Sequence, residues 1–392
     1  MRKTFKYRIY PTKEIERKLF WVLTRCRELY NAALSERKDA YKYAGKSISY
    51  YDQQNDLPEI KAKIRQEYQD IAAHVLQDVL RRLDRAFQNF FRRCKTGENP
   101  GFPRFQSRNR YDSFTYPDGA GWKLDGQYLH LTKIGKAKVK LHRPLEGKIK
   151  TVTIKREVDE WYVTFSCEMP EPEKLPVSYE DVGIDLGVTH LATLSTGEMI
   201  EHPCYYRKAQ KVLEKRQQAL ARKKRGSHRR DRARQAVAKA HRKIARQRKD
   251  FQHKAAKKLV ERYQVIVFED IQTGNLTRKP KPKEDENGKY LPNGASAKSG
   301  LNKSILDAGW ETFVSICSIK AAWAGREIIK VDPRLTSQIC SQCGQIKKKD
   351  LSERWHSCDC GAELDRDVNA AINILERGRR QRGAICVEAP CL

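Results

Sequence analysis

The 392-residue chain is short of acid: 49 Asp and Glu face 79 Lys and Arg, a formal net charge of +30. A field of that sign concentrates polyanions and speeds their encounter. Nucleic acid is therefore the expected partner, bound largely through neutralised phosphates and released counterions. The plain alternative is a general bias towards basic, soluble composition. Long apolar runs are also missing: no stretch approaches the roughly 20 residues needed to span a bilayer. The first residues, Met1-Arg2-Lys3-Thr4-Phe5, lack the apolar core of a secretory signal. Cysteine is not scarce at 11, but its pattern does not suggest disulfides. Four cysteines crowd positions 340 to 360 and the others are scattered or lie in the tail, as in an intracellular metal site. A cytoplasmic protein is expected. There is no internal repeat, and no Tyr- or Ser-recombinase motif is evident.

The length suggests two or three domains. Residues 3 to 10 alternate, with Phe5, Tyr7 and Ile9 on one face, which predicts a strand. Ile15, Leu19, Val22, Cys26 and Leu29 then recur at helical spacing. Val75, Leu76, Val79, Leu80, Leu83, Phe87, Phe90 and Phe91 do so again. From Gly101 to about Met169 the pattern is β, with a hairpin expected around Asp159. The first strand can join this sheet and leave the helices as an insertion. Pro170, Pro172 and Pro176 mark a linker to an α/β region. Residues 207 to 250 carry 19 Lys or Arg against 3 acids, with a helix break expected at Gly226-Ser227. Leu213, Leu220, Val237, Ala240 and Ile244 keep a thin apolar stripe, so a helical hairpin is expected. Too few acids alternate with the bases for an ordinary solvated pair. A phosphate-tracking surface is the favoured reading, with Arg229, Arg230, Arg232 and Arg234 as its candidates. Residues 274 to 302 read as a mobile loop, Ile305 to Trp323 as one helix, and Glu327 to Val331 as a strand.

Three acids stand out by position. Asp185 lies inside the apolar strand Val182-Gly-Ile-Asp-Leu-Gly187, Glu269 ends the strand Val265-Ile-Val-Phe-Glu269, and Asp367 opens a helix through Ala370, Ala371, Ile372 and Leu375. A carboxylate at a buried strand is costly unless paired or metal-bound. Singly, each has a plain reading: a turn cap, a structural ion pair, or an acid at a helix N-terminus. Magnesium takes oxygen ligands and keeps several waters, and two such ions can activate water and stabilise the leaving oxygen in phosphodiester cleavage. The order strand Asp, strand Glu, helix Asp resembles the RuvC branch of the RNase H fold, which implies metal coordination by all three.

Cys340-Ser-Gln-Cys343 and Cys358-Asp-Cys360 offer four thiolates, the closed tetrahedral shell of structural zinc. Gly344 and Gly361 follow the pairs as knuckle turns require. The second pair has one intervening residue instead of two, and His356 is an alternative ligand. A redox pair or idle thiols is the competing reading.

Together these residues resemble the TnpB family, transposon-encoded relatives of type V CRISPR effectors, from Tyr7-Arg-Ile-Tyr-Pro11 to about Leu375. The motifs that carry the likeness are Gly183-Ile-Asp-Leu-Gly187, Asp307-Ala-Gly-Trp310 and Ser337-Gln-Ile-Cys-Ser-Gln-Cys-Gly344. Asp365-Arg-Asp-Val-Asn-Ala-Ala-Ile-Asn-Ile374 and Asn99-Pro-Gly-Phe-Pro-Arg-Phe105 add to it. The resemblance implies an α+β multidomain protein. A β-barrel wedge domain (1–10 and 96–172) would be interrupted by a helical recognition lobe (11–95). A RuvC-like nuclease domain (178–334 and 362–377) would hold a zinc module (335–361); the stretch after about Gly378 lacks periodicity, so a disordered tail (378–392) is expected. The resemblance also implies a programmable double-stranded-DNA endonuclease with Mg²⁺, zinc and a guide RNA made from the transposon end. Sequence would be read by base pairing in a basic channel, next to a short target-adjacent motif. The family pattern assigns Asp367 rather than Asp365 to the metal site, leaving Asp365 a capping or supporting role. Tyr50, Gln77, Phe114 and Thr115 fall where similar proteins contact motif DNA; ordinary surface polarity is the alternative. A nuclease-inactive RNA-guided repressor would have lost the acids. A guide-independent transposase or junction resolvase would not need the long N-terminal region.

Overall fold

The alternation at the N-terminus is realised as β1 (Arg2–Tyr10), with Phe5, Tyr7 and Ile9 buried. The computed structural model describes residues 1–350 and 353–388, with side chains to 383. The chain forms two units, Met1–Glu171 and Pro172–Leu392. In the first, β1 is followed by α1 (Lys13–Ala44), α2 (Tyr50–Asn55), α3 (Leu57–Glu59) and α4 (Ala73–Lys95). Six strands come next: β2 (Ser113–Tyr116), β3 (Trp122–Asp125), β4 (Tyr128–Leu131), β5 (Gly135–Lys140), β6 (Lys148–Glu157) and β7 (Glu160–Glu168). All seven strands pair antiparallel in the order β2-β6-β7-β1-β5-β4-β3. β1 is therefore central: it pairs with β7 from Arg2↔Glu168 to Ile9↔Trp161 and with β5 around Ile9↔Val139. Among the described residues no pairing joins β2 to β3, so the expected closed barrel is a curled sheet with two edges.

The helices share the core of this sheet. Thr12 caps α1, its hydroxyl accepting from the Ile15 N–H, and Gly45 ends it at φ 62°. The predicted stripe of Ile15, Leu19, Val22, Cys26 and Leu29 is buried, as are Val75, Leu76, Val79, Leu80 and Leu83 of α4. The stripe does not extend to the end of α4. Phe91 is 55% exposed and stacks on Phe87 at 6.2 Å, because the core stops a turn earlier. α4 also buries Asp78, which accepts from Arg82 at 2.7 Å and so is paired rather than bare.

The second unit holds β8 (Asp181–Asp185), β9 (His190–Leu194), β10 (Met199–Glu201), α5 (Tyr205–Ala221), α6 (His228–Arg262) and β11 (Val265–Glu269). After these come α7 (Thr273–Leu276), β12 (Lys283–Glu284), β13 (Tyr290–Leu291), α8 (Ala295–Ala308), α9 (Trp310–Ala324) and β14 (Glu327–Val331). β15 (Trp355–Ser357), β16 (Glu363–Asp365) and α10 (Arg366–Glu388) complete it. The main sheet runs β10-β9-β8-β11-β14, antiparallel from β10 to β8 and parallel from β8 to β14. Alternation along its strands separates two cores. Val182, Ile184, Ile266 and Phe268 meet α6 and α9, whereas Val265, Val267, Ile329 and Val331 meet Ile374 of α10.

Three expectations change here. The single helix at 305–323 is two, broken at Gly309, which sits at φ 65°. The loop at 274–302 contains α7, the β12–β13 hairpin and the start of α8. The tail expected to be disordered from 378 continues α10 to Glu388, while residues 389–392 lie outside the described residues. Gly378 marks close packing rather than a stop: a Cβ there would come within 2.5 Å of Val267. Among the described residues no helix is long and apolar enough to cross a membrane.

α10 also approaches β8 closely. A Cβ on Gly183 would lie 2.1 Å from the Ala371 carbonyl oxygen and 2.6 Å from the Leu375 nitrogen, both backbone atoms that cannot rotate away. Gly183→Ala is expected to destabilise the chain by about 1–3 kcal/mol through overpacking. Gly300→Ala, in α8 with open space around it, is expected to stabilise by about 0.5–1 kcal/mol. Thermal melts of the two variants check this; a Gly183→Ala melt at or above that of Gly300→Ala refutes the close packing.

Candidate acidic site and four-cysteine cluster

β8 and β11 are parallel neighbours in register, Ile184 opposite Phe268, and each ends on its acid one residue later. Because side chains alternate along a strand, Asp185 shares a face with Gly183, and Glu269 with Val265 and Val267. That is the face α10 covers. α10 begins at Arg366, so Asp367 lies in its first turn. Asp365 occupies the cap: its Oδ1 accepts from the N–H groups of Asp367 at 2.8 Å and Val368 at 3.2 Å. Capping occupies Asp365 and leaves the Asp367 carboxylate to its side-chain neighbours, Arg366 at 3.4 Å and Arg354 at 3.8 Å.

Burial pushes the Asp185 carboxyl well above its usual range, and the Glu269 and Asp367 carboxylates push it further against the opposing charge of Arg366. Burial likewise raises Glu269, against the Thr336 hydroxyl and the Arg377 guanidinium. Thr336 donates to Glu269 Oε1 at 2.5 Å and is itself buried. A buried acid raised further by its neighbours, as Asp185 is, favours either a proton or a cation. Three carboxylates on three elements offer the all-oxygen donors that a hard divalent cation of the magnesium type takes, although among the described residues only the four cysteine sulfurs close into one group at ligand distances.

The four cysteine sulfurs lie within 4.8 Å of one another. Cys340 and Cys360 are 3.7 Å apart and Cys343 and Cys358 3.6 Å. Thiolates about 2.3 Å from a tetrahedral ion stand about 3.8 Å apart, so the cluster fits zinc. Gly344 (φ 77°) and Gly361 (φ 89°) make the turns, with Gly344 N–H donating to Cys340 and Gly361 N–H to Cys358. The second turn accommodates the one-residue spacing. His356, the alternative ligand, lies on β15 with Nδ1 against Lys349 Nζ and does not belong to the four-sulfur group. Burial opposes ionisation of Cys340, but N–H groups of Cys343 and Gln342 and the His356 side chain outweigh it and lower the thiol to about 6. Against the Gln345 and Ala362 N–H groups respectively, burial and the neighbouring thiols raise Cys343 to about 12 and also raise Cys360. Without a metal one ionised sulfur is therefore shared among protonated ones, and a metal must displace those protons.

Several residues of these sites escaped the sequence reading. Asn369 Nδ2 donates to the Ile339 carbonyl at 2.8 Å, and its Oδ1 accepts from Ser341 N–H at 2.9 Å. Asn373 Nδ2 donates to the carbonyls of Thr336 at 2.8 Å and Ile339 at 2.7 Å. Their available signal was two asparagines four apart in an otherwise apolar helical segment. Asp307 accepts from Tyr206 N–H on both oxygens, and Trp310 Nε1 donates to the Gly187 carbonyl at 3.0 Å. The Asp307–Trp310 motif thus ties the start of α5 and the loop after Asp185 to the α8–α9 junction.

The nucleic-acid candidates divide. Tyr50 is half-buried against Arg81, 5.5 Å from its ring, and Gln77 is half-buried on α4. Phe114 is fully buried in the core and cannot meet a base, which corrects its expected role. The Thr115 hydroxyl is engaged with Thr153 at 2.8 Å and Arg82 at 2.5 Å. α5 and α6 form the expected hairpin, with Gly226 at φ 83° and Ser227 capping α6. Arg229, Arg232 and Arg234 are exposed there, Arg234 within 3.1 Å of Asp231. Arg230 instead donates to the carbonyls of Leu220 and Lys223 at 3.1 and 2.9 Å, so it fastens the turn rather than facing outward.

Family models match three segments: a probable transposase over residues 164–279, a Cas12f1-like TNB domain over 310–374 and a helix-turn-helix domain over 1–46. Residues 1–46 form one strand and one long helix here, so that last description does not fit their structure. A putative RNA-guided DNA endonuclease from Streptomyces pristinaespiralis is 36% identical over 385 residues, covering 96% of this chain and 90% of the relative. The putative RNA-guided DNA endonuclease InsQ of Escherichia coli (strain K12) is 32% identical over 377 residues, covering 95% and 92%. In a cryo-EM structure of the Cas12f1-sgRNA-target DNA complex, the protein chain matches with a TM-score of 0.56 at 14% identity. The match covers 95% of this chain and 98% of that one, a likeness of fold.

A raised carboxyl binds its proton more tightly when folded, so the metal-free chain loses stability as pH rises from the usual carboxylate range through the raised value. Asp185→Asn removes that loss. Metal-free Asp185→Asn is expected to melt above the metal-free parent at pH 7.5, and the gap should close towards pH 4; no gap at pH 7.5 speaks against the crowded acids. Separately, one zinc per chain is expected by elemental analysis. Cys343→Ser should lose it and lower the melting temperature with it, because metal binding and local folding are coupled.

Proposed function

The chain belongs to the TnpB family of transposon-encoded RNA-guided DNA endonucleases, and we propose that it cuts double-stranded DNA at Asp185, Glu269 and Asp367. The observation that carries this reading is the convergence of the three acids at one end of a five-stranded sheet, under the first turn of α10. A sheet of three antiparallel strands followed by two parallel ones supports a RuvC-like assignment for the second unit. The four-sulfur group supports a structural zinc module within it. The curled seven-stranded sheet would serve as the wedge, and α1 to α4 as the recognition lobe.

Asp185, Glu269 and Asp367 would hold Mg²⁺, which when bound supplies Lewis acidity and a water activated for attack on phosphorus. The carboxylates orient oxygen ligands at fixed directions because two end strands of one sheet and the third starts a helix packed on it. The Thr336 hydroxyl donates to Glu269 Oε1 at 2.5 Å. Arg366 and Arg354, beside Asp367, offset part of the charge of the acids. Arg229, Arg232 and Arg234 on the α5–α6 hairpin add phosphate attraction without base readout. Tyr50 and Gln77 are the residues proposed to read the target-adjacent motif. The guide RNA, made from the transposon end, supplies the remaining specificity by pairing. Such a protein acts in the cytoplasm, where the element's DNA resides.

Asp185→Ala, Glu269→Ala and Asp367→Ala are each expected to reduce Mg²⁺-dependent cutting beyond the about 10–100-fold typical of outer-shell changes, while guide and target binding persist. Cleavage of a target-library plasmid with two unrelated guides completes the test. Cutting should follow the guide wherever the adjacent motif is kept; cutting at one fixed sequence with either guide, or equally with none, refutes the RNA-guided reading.

A further inference from the structure

The acidic site and the cysteine cluster are joined by one short stretch of chain, residues 336 to 341, and its side-chain hydrogen bonds to Glu269, Asn369 and Asn373 are buried or half-buried. At its start the Thr336 hydroxyl donates to Glu269 Oε1 at 2.5 Å. The Thr336 carbonyl accepts from Asn373 at 2.8 Å, and the Ile339 carbonyl accepts from both Asn369 and Asn373. Ser341 N–H donates back to Asn369 at 2.9 Å. Cys340, the first cysteine of the cluster, lies inside this stretch. Asn369 and Asn373 stand one turn apart on α10, the helix whose first turn carries Asp367. Thr336, Asn369 and Asn373 are all buried, at 4%, 0% and 9% exposed.

We propose that Thr336 is a positioning residue for Glu269, held in place from α10 by Asn373 and Asn369. The inference rests on the reading of Glu269 as a metal ligand. A carboxylate end-group rotates about its last torsion, a broad and weakly directed one. With one oxygen held by a buried hydroxyl, that rotation is restrained and the other oxygen is left without that partner. The threonine hydroxyl has one hydrogen to donate and two acceptors in reach, Glu269 Oε1 at 2.5 Å and the Pro333 carbonyl at 3.2 Å; the shorter contact, to the carboxylate, takes it and fixes which oxygen is occupied. The Thr336 carbonyl is fixed in turn by an amide on the helix that presents Asp367. A displacement of α10 therefore moves Asp367 and, through Asn373 and Thr336, Glu269 with it. The distance between the two acids is then set by one helix. Arg377, a turn beyond Asn373, donates to the carbonyls of Asp332 and Arg334 at 2.7 and 2.8 Å and secures the chain leading into Thr336. The knuckle that begins at Cys340 closes the far end of the same stretch, which gives the cysteine cluster a role in the geometry of the acids.

The test compares the full chain, loaded with guide RNA, with Thr336→Val and Thr336→Ser. Valine keeps the shape and removes the donor; serine restores it. The measurements are the Mg²⁺ concentration for half-maximal cleavage, the Mg²⁺ concentration that raises the melting temperature of the chain, and zinc per chain. Thr336→Val is expected to need about 10–100-fold more Mg²⁺ in both titrations with zinc retained, and Thr336→Ser to return close to the parent. A parental Mg²⁺ response in Thr336→Val overturns the proposal, and so does a Thr336→Ser variant as impaired as the valine. Should the valine variant lose zinc or fail to fold, the serine comparison alone decides by the same criterion. Glu269→Gln is measured alongside to separate the two claims. If it keeps parental cutting and Mg²⁺ response, Glu269 is no ligand and the wider reading fails. If it fails while Thr336→Val behaves as the parent, only the positioning role is lost.

Discussion

The second unit depends on how closely α10 can approach its sheet. Two glycines set that distance: Gly183 on β8, facing the backbone of Ala371 and Leu375, and Gly378 on α10, facing Val267. A helix and a sheet ordinarily pack through interleaved side chains, which keep their backbones well apart. Here each partner gives up a side chain at one contact. The approach brings the first turn of α10 alongside the ends of β8 and β11, where the chain has placed two acids. A looser contact would leave Asp185 and Glu269 beside each other with no third carboxylate, and Thr336 without its tether to Asn373.

That close contact has an electrostatic cost, and the rest of the site offsets part of it. Asp185 is raised by its burial and by the other two acids, and Arg366 opposes the rise. Thr336 and Arg377 do the same for Glu269. A chain with formal charge +30 bears three partly buried acids at one point, so the local field opposes the global one. The two can coexist because the basic groups of the α5–α6 hairpin are exposed and screened over about 10 Å by salt, whereas buried and half-buried acids are screened much less.

Much of this was legible in the residues, because the signals were local. Asp185 and Glu269 showed as acids in or ending apolar strands, Asp367 as an acid opening an apolar helix, and the cysteines as two close pairs followed by glycine. β1 and the β6–β7 hairpin followed from alternation. What escaped depended on partners distant in the chain. Phe114 alternates as a strand residue should, but only the fold shows that its side is the core. Arg230 looks like its neighbours until its contacts with Leu220 and Lys223 are seen. Gly309 and Gly378 carry the same letter with opposite meanings, one breaking a helix at positive φ and the other letting a helix continue against a strand. Thr336 gave no periodic or compositional signal, since its meaning lies in a single hydrogen bond to a residue 67 positions away.

The place of β1 in the first sheet has a consequence for how the chain is made. Its neighbours on both sides, β5 and β7, are synthesised more than a hundred residues later. At about 5–20 residues per second, Phe5, Tyr7 and Ile9 leave the ribosome many seconds before any strand can cover them. During that interval α1 and α4, built from contacts nearer in sequence, can already pack on each other, while an apolar strand with both edges open hangs from their N-terminal end. Five of the nine residues of that strand are Arg, Lys or Thr, and charged or polar side chains on a waiting edge are what keep it from pairing with another nascent chain. The cationic composition that suits the finished molecule to polyanions thus also protects its unfinished first strand.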